Sequence, residues 1–171
     1  MKLLNRSQKG FTLIELLIAL PIIAIVVAAA SGALIQVIQS TATSAHMVAL
    51  RQVQTAGYWV SKDGLQAQEV NTQDYFLYVK WTDWDVSDVH EVVYAFSSGD
   101  IKQLQRQETV HDKDGNLVSN TMTIAGQYIA SSQTTCGWNG SVLTFTVTAS
   151  VPGARGPQTE TRTYEIKPRP D

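Results

Sequence analysis

A long apolar segment with few polar breaks, near the N-terminus, limits what this chain can fold into more than any other feature. The segment runs from Leu16 to Ile38, and no Asp, Glu, Lys or Arg occurs between Glu15 and Arg51. Roughly 20 apolar residues in a helix span the hydrocarbon core of a bilayer. The segment therefore predicts a helix of membrane length. Glu15 stands at its opening, where a carboxylate is costly enough to call for a function.

The residues before the apolar segment predict its orientation in a membrane. Lys2, Arg6 and Lys9 precede it, with no acidic residue among them. The positive-inside rule keeps this end in the cytoplasm and places the rest of the chain across the membrane. A cleaved secretory signal is the alternative, and the small residues 28–30 offer a cleavage site for it. The acidic Glu15 and the length of the apolar run favour a retained anchor.

The sequence around Glu15 carries a specific junction motif. It combines a basic leader, the pair Gly10–Phe11, the following Thr12–Leu13, and Glu15 as the fifth residue after Gly10. The motif resembles the cleavage and methylation signature of type IV prepilins and type II secretion pseudopilins. In that family a membrane peptidase cuts after the glycine and methylates the new amine. The resemblance implies cleavage between Gly10 and Phe11 and methylation of Phe11.

Glu15 has two interpretations. The resemblance implies that its carboxylate pairs with a terminal amine, either its own or that of a neighbouring subunit, which offsets much of the cost of desolvating both charges. The alternative is a carboxylate at a helix end that reaches towards the lipid headgroups. The whole motif favours the role in assembly.

Beyond the membrane-length segment, apolar or small residues recur at helical spacing. The steps between successive positions are three or four residues, which indicates one stripe along a helix. The positions are Leu34, Ile38, Ala42, Ala45, Ala49, Val53, Ala56 and Val60. We expect the helix to continue to about Glu69 and the stripe after residue 45 to pack against the chain's own core. Residues 53–68 resemble the end of the long helix in J-type minor pseudopilins.

After Asn71 the hydrophobic period changes to two, which predicts an antiparallel sheet. The strongest alternation lies in residues 142–151, with Leu143, Phe145, Val147, Ala149 and Val151 on one face. The other expected strands are 75–81, 89–96, 101–110 and 158–167, and 121–131 is either a strand or a short helix. The predicted class is α+β, and the resemblance implies a pilin-like fold with a long N-terminal helix packed on a sheet.

Composition argues against several functional classes. Without residues 1–10 the chain has 10 basic and 15 acidic residues, a charge of −5, which disfavours nucleic acid as a partner. Cys136 is the one cysteine, so no intramolecular disulfide forms, and we expect it to be a half-buried apolar residue. The three histidines lack metal-ligand spacing, and no nucleophile elbow or phosphate loop occurs. The sequence predicts no enzyme and no cofactor.

One acidic segment resembles the front of a calcium-binding loop. Asp112, Asp114 and Asn116 stand at alternate positions, as ligands do in a calcium loop. The glycine at 115 comes one residue too early for an EF-hand, and no bidentate Glu follows. Asp-Gly and Gly-Asn are ordinary turn chemistry. We therefore expect a turn and no metal, with these three residues as the calcium candidates.

A second acidic segment surrounds a tryptophan. Asp83, Asp85 and Asp88 flank Trp84, and Trp81 lies just before them. Two tryptophans at a strand end form either an exposed adhesive pair or part of the sheet packing. The second interpretation is the more common one, and we expect both rings to pack on the sheet.

The resemblance implies four regions and one main function. The regions are a cleaved cytoplasmic leader (1–10), a transmembrane or filament-core helix (11–38), its amphipathic continuation (39–70) and a β-rich head (71–171). The implied function is that of a structural minor pilin or pseudopilin in a bacterial type II secretion or type IV pilus machine. The implied partners are other such subunits, prepilin peptidase and the inner-membrane assembly platform. The chain would reside in the inner membrane with its head outside. The alternative is a tip-located binding module for adhesion or DNA uptake.

The processing prediction is testable by mass spectrometry. The intact mass of the membrane-extracted protein should show the loss of residues 1–10 and the gain of one methyl group on Phe11, because the junction follows Gly10. Tandem fragmentation should locate the methyl group on the terminal amine. Cleavage within or after residues 28–30 would instead identify a secretory signal peptide and contradict the prepilin interpretation.

Overall fold

The computed structural model describes residues 12–154 and 156–169. The chain divides into two compact units, residues 1–40 and 41–171, and one helix, α1 (Leu13–Gln66), contributes to both. The strands are β1 (Glu69–Asn71), β2 (Leu77–Thr82), β3 (Val89–Phe96), β4 (Gln103–His111), β5 (Leu117–Gln127), β6 (Thr135–Trp138), β7 (Leu143–Val151) and β8 (Gln158–Ile166). A short 3-10 helix, Ser131–Gln133, precedes β6.

The described part of the first unit, residues 12–40, consists almost entirely of helix with exposed apolar side chains. Leu17, Ile22 and Val26 are each more than half exposed, and so are most of their apolar neighbours. Among the described residues α1 is the one helix that is long and apolar enough to cross a membrane, by length and composition. A surface of this kind requires an apolar environment.

The helix ends earlier than the sequence indicates. We expected it to reach about Glu69, but α1 stops at Gln66 and Glu69 begins β1. Glu69 pairs with Lys80, and the amide of Gln68 donates to the carbonyl of Lys80. Backbone groups after Gln66 therefore form hydrogen bonds with β2, and these replace the bonds that a longer helix would have made.

The head contains two antiparallel sheets, whereas the sequence led us to expect one. The five-stranded sheet has the order β1-β2-β3-β4-β5, and the three-stranded sheet has the order β6-β7-β8. Alternation predicted which residues face inward but carries no information on which strands pair. The long helix and the antiparallel head confirm the predicted α+β, pilin-like fold.

Individual strands follow the predictions closely. β3 has the expected bounds, and all five inward residues of β7 are buried. The ambiguous segment 121–131 is mostly strand, because β5 continues to Gln127. Thr148 is an exception on the outer face of β7, since the segment at Gln133 and Thr134 covers it and bonds to it.

In the second unit the stripe of α1 forms the centre of the core. Ala45, Ala49, Val53, Ala56 and Val60 are all buried, which confirms the predicted packing role. They belong to one cluster with inward residues of both sheets, including Leu77, Val92, Leu104, Leu143 and Phe145. Small side chains at these positions let the sheets approach the helix closely.

A glycine in α1 makes the closest of these approaches possible. The ring of Tyr164 lies over Gly57, and a Cβ atom added at Gly57 would overlap it. The Tyr164 hydroxyl donates to the carbonyl oxygen of Val53 at 3.1 Å. Gly57 weakens helix propensity by about 1 kcal/mol relative to alanine. Its presence is explained by the space that this β8 side chain needs.

Candidate functional site

The residues expected at the processing junction, Gly10 and Phe11, lie outside the described residues. The description begins at Thr12, and Glu15 is included in it. Glu15 is exposed in the first turn of α1. The predicted cleavage and methylation sites therefore remain predictions.

Thr12 and Glu15 form a reciprocal cap at the start of α1. The Thr12 amide and the Thr12 hydroxyl both donate to Oε2 of Glu15, each at 2.9 Å. The Glu15 amide donates to the Thr12 hydroxyl oxygen at 3.3 Å. This is a capping box, which satisfies backbone donors that a helix start leaves free. Within the described residues no hydrogen bond reaches Oε1 of Glu15, so one carboxylate oxygen remains for a further donor.

The second unit contains a buried ionic cluster around Asp63 in α1. Arg106 of β4 donates to both Asp63 oxygens, from Nε at 2.7 Å and from Nη2 at 3.0 Å. The Tyr94 hydroxyl of β3 donates to the same carboxylate at 2.6 Å. Asp63 and Arg106 are 1% and 3% exposed. Such bidentate pairs are strong and geometrically specific.

The ionic contacts continue from this cluster towards the surface. Arg106 Nη1 donates to Glu108 at 2.9 Å, and Glu108 lies 3.0 Å from Nδ1 of His90. The other ring nitrogen of His90 lies 3.3 Å from Asp83. Both contacts are donations from His90 when its ring is protonated. The His90 ring stacks on Trp81 with centroids 5.0 Å apart.

The contacts within this ionic cluster shift the pKa values of three of its members. Burial alone would lower the pKa of Arg106, but hydrogen bonds to Asp63 and Glu108 outweigh it and hold that pKa above its ordinary value. Burial would raise the pKa of Glu108, yet Arg106 and His90 hold it below its ordinary value. Burial next to Asp63 raises the pKa of Tyr94 well above its usual range. These shifts keep Arg106 and Glu108 charged and Tyr94 neutral near neutral pH.

Our sequence interpretation missed this cluster, although a signal for it exists. Asp63 follows Val60 by three residues and precedes the buried Ala67 by four, so it occupies a position on the apolar stripe. A charge on a buried stripe requires a partner. Arg106 follows the buried Leu104 by two residues and precedes the buried Val110 by four. Side chains at even spacing share one face of a strand, so Arg106 lies on the inward face of β4.

The loop between β2 and β3 presents an exposed tryptophan. Trp84 is 88% exposed, so the expectation that it packs on the sheet was wrong, whereas Trp81 is buried as expected. Two backbone bonds close the loop, from the Asp83 amide to the Asp88 carbonyl and from the Ser87 amide to the Asp83 carbonyl. Ser87 adopts a positive φ of 60° there. The ring projects because the turn is tight, and it borders a cavity of about 280 Å³ that Gln66, Gln68 and Arg169 also line.

The three calcium candidates lie in the turn between β4 and β5. Asp112 Oδ1 accepts bonds from the amides of Asp114 and Asn116, and its other oxygen accepts one from the Asn116 side chain. These bonds, led by those from Asn116, lower the pKa of Asp112. Both Asp112 oxygens thus serve the turn itself, as the turn interpretation requires.

Other reactive side chains offer little chemistry. Cys136 is half-buried, and burial raises the pKa of its thiol to about 12, which leaves it protonated and weakly nucleophilic. His46 lies 3.1 Å from Glu160 at the surface. Across residues 12–154 and 156–169 no group of three or more His, Cys, Asp or Glu side chains is arranged to hold a metal ion.

A comparison with known protein families finds a match at the N-terminal end of the chain. Residues 5–31 match the prokaryotic N-terminal methylation motif, the prepilin signal of type IV pilin-like proteins. The match supports a type IV pilin-like or pseudopilin subunit and includes Gly10, Phe11 and Glu15. Neither the search of curated proteins nor the search of solved structures finds a match to the chain. The motif suggests assembly with other pilin subunits, and with the apolar helix it fits a membrane-anchored pilin.

The buried pair Asp63–Arg106 predicts a specific pattern of stability. The substitution Arg106→Met leaves the buried Asp63 charge without its cationic partner. It should lower the free energy of unfolding by about 3–5 kcal/mol. The double variant Asp63→Leu/Arg106→Met should lose less than Arg106→Met alone. Urea unfolding of the full chain in detergent micelles, followed by tryptophan fluorescence, measures both, because Trp59 lies 5.0 Å from Arg106.

A matched control separates this effect from the loss of any surface ion pair. Lys80 and Glu91 form an exposed pair at 3.4 Å, and Lys80→Met should cost at most about 1 kcal/mol. If Arg106→Met costs no more than Lys80→Met, the buried cluster does not stabilise the head as described.

Proposed function

We propose that the chain is a minor structural subunit of a bacterial type II secretion or type IV pilus machine. Prepilin peptidase removes residues 1–10 and methylates Phe11, and the subunit is assembled through its N-terminal helix. Its partners are other pilin or pseudopilin subunits and the inner-membrane assembly platform. Before assembly it resides in the inner membrane with the head outside. The likeness of residues 53–68 favours a J-type minor pseudopilin among these subunits.

The observation that carries this proposal is the position of Glu15 inside the methylation motif. The carboxylate opens an exposed apolar helix, and within the described residues its Oε1 atom has no hydrogen-bond donor. After the proposed cleavage, Glu15 is the fifth residue from a new amine. A carboxylate and an amine in apolar surroundings attract strongly, and two subunits that pair in this way acquire a defined register.

The regions support this role in different ways. Residues 11–38 supply the transmembrane or filament-core segment, and the continuation of α1 to Gln66 supplies the core of the head. The head from residue 71 onward is mainly β-structure without a metal cluster or activated nucleophile in its described part. These features favour a structural subunit over a membrane-anchored enzyme.

The assembly role of Glu15 is testable because the charge and the helix cap are separable. Glu15→Gln retains a capping side chain but removes the charge. We expect it to insert into the membrane normally but to enter filaments or pseudopili about tenfold less, as a loss of about 1.4 kcal/mol of pairing energy would produce. Fractionation and immunoblotting at native expression measure both quantities.

Thr12→Val is the matched control for the cap. It removes the hydroxyl that bonds Glu15 but leaves the charge, and we expect it to assemble at close to the wild-type level. Wild-type assembly of Glu15→Gln together with defective assembly of Thr12→Val would mean that Glu15 acts as a helix cap alone.

The exposure of Trp84 favours a second candidate function, a tip-located binding module. A ring that is 88% exposed on a tight turn is available to a ligand, and aromatic residues supply large contact areas. The neighbouring Asp83, Asp85 and Asp88 repel phosphate, so this loop favours adhesion over DNA uptake.

A substitution at Trp84 tests the adhesive role. Trp84→Ala should reduce the attachment of cells to the surface that they colonise, because it removes the proposed contact with the ligand. Filament assembly should stay intact, because the Trp84 ring lies outside the subunit core. Tyr75→Ala is the control, since Tyr75 is also an exposed aromatic residue in a loop of the head. Equal attachment by wild type and Trp84→Ala would contradict the adhesive role, and only the structural role would remain.

A further inference from the structure

Three adjoining cavities form a groove beside the C-terminal end of α1. The central cavity, of about 300 Å³, shares Gln68 and Arg169 with the cavity next to Trp84. It shares Val70 and Trp138 with a third cavity, of about 290 Å³, which borders the segment that begins with β1. The central cavity is at the lower end of the size range of ligand pockets.

The sign of the charge changes along this groove. Lys167 and Arg169 line the central cavity, and no acidic residue does. Both cations are exposed, and neither forms an ion pair with another residue in 12–154 or 156–169. The two flanking cavities each contain an acidic residue, Asp83 in one and Glu69 in the other. The groove therefore favours a ligand with a negative group at its centre and neutral flanks.

Tryptophan rings line all three cavities. Trp138 borders the central and third cavities and packs against the core cluster, which holds its ring in place. Trp81 and Trp84 border the cavity on the other side, and the Trp81 ring is fixed by its stack on His90. Indole rings offer large flat contact areas, which match the C–H faces of sugar rings.

Hydrogen-bonding groups in the central cavity match a ligand with hydroxyl groups. The Thr82 amide donates to Oε1 of Gln68 at 2.9 Å, which fixes the Gln68 amide so that its NH2 group is the other branch. That NH2 group donates to no atom among the described residues. The Ser141 hydroxyl donates to Asn139, and its oxygen can still accept. One cavity thus offers a donor and an acceptor.

We propose that this groove binds a glycan that carries one acidic sugar residue. The acidic group pairs with Lys167 and Arg169, and the sugar rings lie against the tryptophans. The proposal rests on the second candidate function, the tip-located binding module, and names the class of ligand for it.

The groove favours such a glycan over a nucleic acid and over a peptide. A nucleic acid carries a phosphate at every residue, and a strand that extends beyond the central cavity meets Asp83 or Glu69. A peptide would need a ring at each tryptophan to fill the same contacts. A glycan presents a flat C–H face in every unit and needs only one charge.

Titration of the full chain in detergent micelles tests the class of ligand. The probes are 3′-sialyllactose and aldotriouronic acid, which each carry one carboxylate on three sugar rings. We expect at least one of them to bind saturably and to change the tryptophan fluorescence, because three of the four tryptophans line the groove. The methyl ester of that probe keeps the rings without the charge and should bind about tenfold more weakly.

Substitution of the two cations tests the place of binding. Lys167→Gln/Arg169→Gln removes both charges and should weaken binding of the acidic probe about tenfold, but should leave binding of its methyl ester unchanged. Lys113→Gln is the matched control, because Lys113 is an exposed lysine in the turn between β4 and β5, and it should bind both probes as the wild type does. Circular dichroism of each variant should match the wild type, which shows that the head remains folded.

Any of four results would overturn the proposal. The first is the absence of saturable binding of both probes, and the second is equal binding of an acid and its methyl ester. The third is an effect of Lys167→Gln/Arg169→Gln no larger than that of Lys113→Gln. The fourth is tighter binding of a thymidine oligonucleotide than of either glycan at the same ionic strength, which would assign the groove to single-stranded nucleic acid.

Failure of this proposal is distinguishable from failure of the proposed function. Loss of attachment in Trp84→Ala cells without glycan binding would keep the adhesive role and reject the acidic glycan. Glycan binding with normal attachment would keep the groove as a binding site and reject the adhesive role. Neither result affects the assembly predictions for Glu15, which lies at the other end of α1.

Discussion

The head depends on the close packing of one helical stripe against two sheets. Alanine and valine occupy the buried positions of α1 from Ala45 to Val60, and side chains of both sheets join the same core cluster. Tyr164 of the small sheet bonds the helix backbone at Val53, and Arg106 of the large sheet bonds Asp63. Neither sheet would have a complete buried face without this helix, because its stripe supplies the layer that they share.

Periodicity in the sequence predicted much of this arrangement. The stripe of α1, the bounds of β3 and the inward residues of β7 follow directly from helical and strand spacing. Periodicity could not predict the division into two sheets, because it shows which side of a strand is buried but not which strand lies beside it. The end of α1 was misplaced because pairing of Glu69 with Lys80 outweighs local helix propensity.

The candidate sites were predictable to different degrees. The junction motif pointed to Glu15 as a charge, but its capping partner Thr12 was overlooked, although the spacing Thr-x-x-Glu is a known sign of a helix start. Asp63 was not recognised as a charge on the buried stripe, and its partner Arg106 lies 43 residues further along. The exposure of Trp84 depends on the tight turn after β2, which residue type alone does not determine.

The long-range bonds of α1 have a consequence for the order of events during synthesis. Val53 receives its bond from a tyrosine 111 residues later, and Asp63 waits for an arginine 43 residues later. Synthesis begins at the N-terminus, so α1 is complete long before β7 and β8. Until those strands are made, they cannot cover the alanine- and valine-lined face of the helix. Contacts so distant in sequence close slowly. The newly synthesised helix therefore passes through a period in which its future interior faces water, and chaperones that recognise apolar surface would have their main opportunity then.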